Sequence, residues 1–219
     1  MSGLRERNKA ARISAILDSA VELLGTGRLD EVTTERIAAR AEVAPATVYN
    51  LVGTRDELLA ALVDRVVDDL VGAVADATAD DDDPISVARL FVDHSVAAFT
   101  RDSHAFRQFV EAGRALDRST PRDRVDPSQL QVAALRRAQE LGILRDDVDP
   151  GGLGRQVFIS WIGAMEHWAS GHLDDDGFAV ATRHGLLVVL AAASTEPPRA
   201  DFIDELRRCG ELLDRAWLA

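Results

Sequence analysis

The residues able to do covalent chemistry do not stand where they could use it. The chain has five histidines (His94, His104, His167, His172 and His184) and one cysteine, Cys209. Glu166-His167 with His172 lacks the four-residue histidine spacing that puts two imidazoles on one helical face around zinc. No Gly-x-Ser-x-Gly elbow is present to expose a nucleophilic serine. Gly151-Gly152-Leu153-Gly154 is too short for a dinucleotide loop and follows no strand pattern. Cys209 has no histidine partner in sequence and, being single, forms no intrachain disulfide. These residues indicate neither an enzyme nor a chain with a cofactor or metal centre.

Non-covalent recognition is better served. Pro45, Ala46, Thr47, Tyr49, Asn50 and Arg55 lie within one short stretch and offer hydroxyls, an amide and a cation. Such groups bond phosphate oxygens and base edges. The Asn50 amide can pair with adenine through two bonds. Arg55 can clamp a phosphate beside the N-terminal amides of a helix. Thr34 opens the preceding segment, Lys9 and Arg12 can reach flanking phosphates, and Arg5 and Arg7 on a mobile arm can assist them.

Helices must position these groups, because apolar residues recur at three- and four-residue steps almost throughout. Ile13, Ile16, Leu17, Ala20, Val21 and Leu24 form one face of a first helix that Gly25 and Gly27 stop. Short helices at 34–41 and 45–52 follow, joined by about three residues, the proportions of a helix-turn-helix. Ala38 and Ala41 are small enough for a close crossing, and Pro45 suits a first helical turn. Thr54-Arg55-Asp56-Glu57 fits a capping box opening a long helix to about Ala77. Further helices are expected near 85–100, 103–116, 128–141, 150–171, 175–193 and 199–217. Asp80 to Asp83 reads as a solvated loop, and Asp117 to Pro127 as a surface connection. The fold class is all-α, with a helix-turn-helix domain at 1–54 and a larger helical domain at 55–219.

Charge is distributed unevenly. The net charge is −12, yet residues 1–55 hold eight basic and seven acidic groups. An acidic body with a locally basic end would orient the molecule on a polyanion. Apolar residues form 47% of the chain, enough for a buried core. Apolar runs such as Gly185 to Ala193 are short for a membrane span, and the charged start lacks a secretory layout. A cytoplasmic location without membrane contact is the expectation.

The run Thr33-Thr34-Glu35-Arg36-Ile37-Ala38, with Ala41, Val43, Pro45-Ala46-Thr47-Val48-Tyr49 and Thr54-Arg55-Asp56-Glu57-Leu58-Leu59, resembles the TetR family of bacterial regulators over about residues 10 to 60. Glu140 to Pro150 is similar to the family's approach to its dimerisation helices. The resemblance implies a dimeric repressor that binds a palindromic operator in double-stranded DNA and is released by a small effector. It also implies that Thr47 and Tyr49 hold phosphates and line the groove, and that Arg55 stands where the family grips the backbone with lysine. The sequence departs from the pattern at three places. Glu42 replaces the usual turn glycine, Ala44 replaces the usual serine cap, and Leu51-Val52 replaces a more polar-aromatic pair. These departures keep open an alternative, a TetR-like protein that has lost DNA binding and serves as a ligand- or partner-binding module.

The effector pocket, expected to suit an apolar or aromatic molecule, would be built from Phe91, His94, Phe99, Phe106, Phe109, Trp161, Met165 and Trp168. The same aromatics at helical spacing equally suit a plain core. Helices 150–171 and 175–193 are the expected homodimer interface, a four-helix bundle in which Gly163, Ala164, Gly185 and Ala191 permit close crossing, although an apolar seam of that length equally suits burial within the monomer.

Overall fold

With apolar side chains in helical register and almost no strand-like alternation, the backbone satisfies its polar groups locally. The computed structural model describes residues 2–26, 32–77, 83–115 and 126–217. Ten helices run through them: α1 (Ser2–Thr26), α2 (Thr34–Arg40), α3 (Pro45–Leu51), α4 (Arg55–Ala77), α5 (Pro84–Thr100), α6 (Ser103–Ala115), α7 (Ser128–Glu140), α8 (Pro150–Ala169), α9 (Asp175–Ala193) and α10 (Pro198–Trp217). Among the described residues there is no strand, only an isolated antiparallel bridge between Leu144 and Ser194. The all-α class holds. Gly27, Asp80 to Asp82 and most of the 117–127 connection lie outside the described residues.

One difference concerns the N-terminus. The expected mobile arm is helical backbone from Ser2 onward. Arginine, lysine and alanine between Arg5 and Arg12 are all good helix formers, so the first helix continues through them. Arg7, Lys9 and Arg12 are exposed on it, whereas the side chain of Arg5 lies outside the described residues.

Aspartates cap α5, α8 and α9. Asp83 accepts from the Ile85 and Ser86 amides at 3.0 and 3.2 Å and caps α5. Asp149 accepts from Gly151 and Gly152 at 3.0 and 2.8 Å before α8. Asp174 accepts from Gly177 at 2.7 Å before α9. A cap of this kind is worth about 1 kcal/mol. Part of the acidic excess is therefore structural, and Gly151-Gly152 serves as a helix start. Gly154 of the same run lies so close to α7 that a Cβ would stand 2.6 Å from the Val132 nitrogen.

Packing divides the chain into two compact units. Residues Met1–Val66 with Asp102–Asp123 form the first, and Val67–Arg101 with Arg124–Ala219 form the second. In the first, Ile16, Leu17, Ala20 and Leu24 of α1 are buried, as are Ile37, Val48, Leu58, Leu62, and Ala105 and Phe109 of α6. In the second, Val92, Leu135, Leu144, Val157, Leu187 and Leu190 form the centre of one cluster. Arg89 of α5 donates two parallel bonds to Glu205 of α10 at 2.7 and 2.6 Å. Those bonds hold the Glu205 carboxyl below its usual range and raise the Arg89 guanidinium above its own. The α9 helix, at 19 residues and mean hydropathy 1.3, is long and apolar enough to cross a bilayer by composition, and half of that stretch is buried in the protein.

Candidate nucleic-acid interface

The first unit presents α3 on its surface. Ile37 and Ala38 of α2 are 3% and 1% exposed and Val48 of α3 is 1% exposed, so the two short helices share one apolar seam. Between them the chain reverses through a Schellman motif: Val43 N–H donates to the Ala38 carbonyl at 2.9 Å and Glu42 N–H to that of Ala39 at 3.4 Å. The motif demands a left-handed residue, and Glu42 supplies it at φ 55°. The sequence suggested this strain through the missing glycine, and the backbone shows it.

With Val48 turned inward, the opposite face of α3 is open. Tyr49 is 63% exposed, and Pro45, Ala46 and Asn50 are exposed with it, while Thr47 is half-buried. Ala44 stands at the N-cap with extended backbone and makes no side-chain bond, leaving Pro45 at the first turn and Thr47 N–H bonded to the Ala44 carbonyl at 2.8 Å. Thr33 caps α2 by accepting from Arg36 N–H at 3.3 Å, so Thr34 is the first helical residue and half-buried. Val52 closes α3 and is half-buried.

The expected capping box is present in full. Glu57 N–H donates to Thr54 Oγ1 at 3.3 Å, and Glu57 Oε2 accepts from Thr54 N–H at 2.7 Å and Thr54 Oγ1 at 2.9 Å. The Thr54 backbone bond, then the hydroxyl bond, hold the Glu57 carboxyl below its ordinary value. Arg55 occupies the first position of α4; its side chain lies outside the described residues. A cleft of about 260 Å³ opens between the starts of α2 and α4, lined by Thr33, Thr34, Glu35, Gly53 and Thr54 over Ile37, Val48 and Leu58. Glu35, Asp56 and Glu57 in the first turns complement the helix dipoles and dilute the positive potential there.

Internal ion pairs steady this surface. Arg65 of α4 bonds Asp18 at 2.8 Å and the Ser14 carbonyl at 3.3 Å, tying α4 to α1. Arg40 of α2 pairs with Glu22 of α1. Sequence reading missed both, since i to i+18 and i to i+47 separations carry no local signal.

The pocket candidates are distributed over both units. Phe106 and Phe109, edge-to-face at 6.2 Å, belong to the first unit. With Val21, Leu24, Leu62 and Ala105 they line a cavity of about 20 Å³. Phe91 is in the core cluster of the second unit. His94 is half-buried there with Nδ1 3.0 Å from the Leu90 carbonyl, and Met165 is half-buried on α8. Phe99, Trp161 and Trp168 do meet, and two residues absent from the expectation, Phe158 and Phe178, complete the cluster. The spacing of Phe158 three residues before Trp161 was a usable signal. Cys209 is buried and its thiol donates to the Val180 carbonyl at 3.5 Å, with burial pushing its pKa up.

On α8 and α9, Ile159 is 60%, Ile162 36% and Val188 45% exposed. Gly185 meets Ser160 within the monomer, where a Cβ would stand 2.8 Å from the Ser160 Cβ. Ala164 and Ala191 are buried, and Gly163 is exposed.

Comparison with known proteins agrees with this geometry. Residues 16–62 match the model of the bacterial regulatory proteins of the tetR family. No curated protein matches the sequence. Among solved structures, SmeT, the repressor of the Stenotrophomonas maltophilia multidrug efflux pump SmeDEF, is 25% identical over 84% of this chain and 91% of its own, with a TM-score of 0.64. FadR of Thermus thermophilus, a TetR-family repressor solved with lauroyl-CoA, is 20% identical over 82% and 93%, with a TM-score of 0.65. RolR, solved with resorcinol, is 18% identical over 90% and 93%, with a TM-score of 0.61. Residues 16–62 thus carry the signature of the tetR family of bacterial regulatory proteins, and the helices behind them share the fold of SmeT and FadR.

Proposed function

We propose that this regulator is a repressor that binds a palindromic operator as a homodimer and leaves it when a small apolar or aromatic effector occupies the helical body. The observation that carries the reading is the outward face of α3. A buried Val48 anchors the helix, and Tyr49 and Asn50 stand in solvent where a major groove can receive them. In this reading Thr47 and Tyr49 bind phosphate and line the groove, and Asn50 reads adenine. Arg55, Thr34, Lys9 and Arg12 hold the flanking backbone, with Pro45 and Ala46 against the groove floor. The functional division falls at residue 54, head before and effector body after.

A second copy covers the apolar face left open on α8 and α9 at Ile159, Ile162, Gly163 and Val188. The α4 helix, about 34 Å long at 1.5 Å per residue, carries effector-induced movement toward the head. Half-sites one turn apart lie about 34–36 Å from each other, so a small change in head separation releases the duplex. SmeT, FadR and RolR are neighbours whose repressor roles or bound small molecules fit this scheme.

A gel shift on the DNA upstream of the protein's own gene tests the reading. The native chain should give a discrete complex that Tyr49→Ala and Arg55→Ala weaken. The strained Glu42 and the uncapped start of α3 favour one other reading, a family member that has lost DNA binding and serves as a ligand- or partner-binding module. A folded dimer without salt-dependent DNA affinity would select it.

A further inference from the structure

The second unit holds two buried indoles, and their N–H groups are treated differently. Trp168 is fully buried and its Nε1 donates to Asp175 Oδ1 at 2.7 Å. Trp161, 8% exposed, has an Nε1–H that is buried without a partner. Buried polar groups normally find one, so such an exception calls for an explanation.

Among the described residues, two other buried side-chain atoms lack partners, the Gln131 Oε1 and the Ser194 Oγ. The Gln131 amide already donates to the Ala88 carbonyl at 2.9 Å, and a serine hydroxyl can rotate toward a new acceptor. An indole N–H has no such freedom, because the ring plane fixes its direction. The Trp161 ring is itself held on three sides: Phe99 is edge-on at 5.3 Å, Phe178 tilted at 6.2 Å and Phe158 parallel at 6.0 Å. Phe158 is the half-buried member of this set, and so the ring with most room to yield to a ligand.

We infer that Trp161 is a specificity-determining donor of the effector site, and that the effector is an uncharged aromatic molecule bearing a carbonyl-type oxygen that accepts from its Nε1. The inference rests on the effector reading above and deepens it. The aromatic faces supply the affinity for a planar ring. The three rings around Trp161 carry no charge, which favours a neutral ligand. A molecule of the same shape without the oxygen leaves the donor as unpaired as before and gains nothing from it.

The test uses matched pairs that differ only in C=O against C=CH2: 2-acetylnaphthalene with 2-isopropenylnaphthalene, and acetophenone with α-methylstyrene. Affinities are measured on the full chain by isothermal titration. At least one ketone should bind about 10-fold or more tightly than its hydrocarbon mate. In Trp161→Phe, which keeps the ring and removes the donor, the pair should agree within about 3-fold. On protein labelled with 15N-tryptophan, the Trp161 indole N–H resonance should move downfield with the ketone and not with the hydrocarbon. Trp168→Phe and Trp217→Phe assign that resonance by elimination, so this readout survives a Trp161→Phe variant that fails to fold. Equal affinity within every pair, an unmoved resonance, or no binding by any probe overturns the donor role. The regulator reading fails separately, by absence of operator binding in the unliganded protein.

Discussion

Replacing Glu42 by glycine tests whether the turn ahead of α3 is strained. Three helices of the chain end in the same motif: α2 with Glu42 at φ 55°, α7 with Gly142 at 71° and α8 with Gly171 at 80°. In each, the following amide reaches back to the carbonyl five residues earlier, at 2.9 Å in all three cases. The glutamate is the exception among these three residues, and its own amide bond is the longest, 3.4 Å to Ala39 against 2.9 and 3.0 Å at the two glycines. An L-residue in the left-handed region costs about 1–2 kcal/mol. Glycine's larger unfolded-state freedom offsets about 0.5–1 kcal/mol of the relief. The net gain for Glu42→Gly is therefore about 0.5–1 kcal/mol, or about 2- to 5-fold in an opening equilibrium.

Tryptophan fluorescence would miss this change, because Trp161, Trp168 and Trp217 all lie in the second unit. Native-state hydrogen exchange on the amides of Ile37 to Val48 reads it locally. Glu42→Ala is the control, since it removes the carboxylate and retains the Cβ. Protection should rise by about 2- to 5-fold in the glycine variant relative to the alanine variant. Equal protection in the two would refute the strain argument and leave charge as the cause of any change from the native chain.

Two other outcomes follow from the same contacts. Glu57 has a depressed carboxyl pKa, so its contribution is present above the ordinary value near 4.5 and fades as pH falls through the lower folded value. Glu57→Ala should thus lower stability at pH 7 and converge on the native chain as pH falls through that lowered value, as followed by thermal melts across pH; a pH-independent difference would contradict the capping role. Ile159→Asp places a charge in the open face of α8 and should convert a dimer to a monomer in sedimentation velocity with helicity unchanged. A variant that still sediments as a dimer would move the interface elsewhere.

How much of this was legible in the sequence depends on the range of the interaction. Thr54 and Glu57 are three residues apart, and their reciprocal bonds appear where the spacing put them. The limits of α4 and α9 coincide with those read from apolar periodicity, because each is bracketed by a local start signal or breaker. The strained Glu42 was visible as a departure at a turn position. The aromatic cluster was only half legible. Helical spacing marks which side chains face inward, but not which helix they face, so Phe106 and Phe109 belong to one unit while Phe99 and Trp161 belong to the other. Phe178, 0% exposed, gave no signal because it stands as a lone aromatic in an apolar helix. The aspartate caps at Asp83, Asp149 and Asp174 were hidden within an acidic background that reads as solvated charge.

The claim that α3 is a DNA-reading helix is tested most directly by the salt dependence of affinity for the operator, measured by fluorescence anisotropy. If Lys9, Arg12 and Arg55 of each protomer neutralise phosphates, log affinity should fall linearly with log salt, with a slope of about −0.9 per contact and about −5 for the dimer. Arg55→Ala should make that slope shallower by about two contacts, one from each protomer. A slope near zero, or one that Arg55→Ala leaves unchanged, would contradict the account.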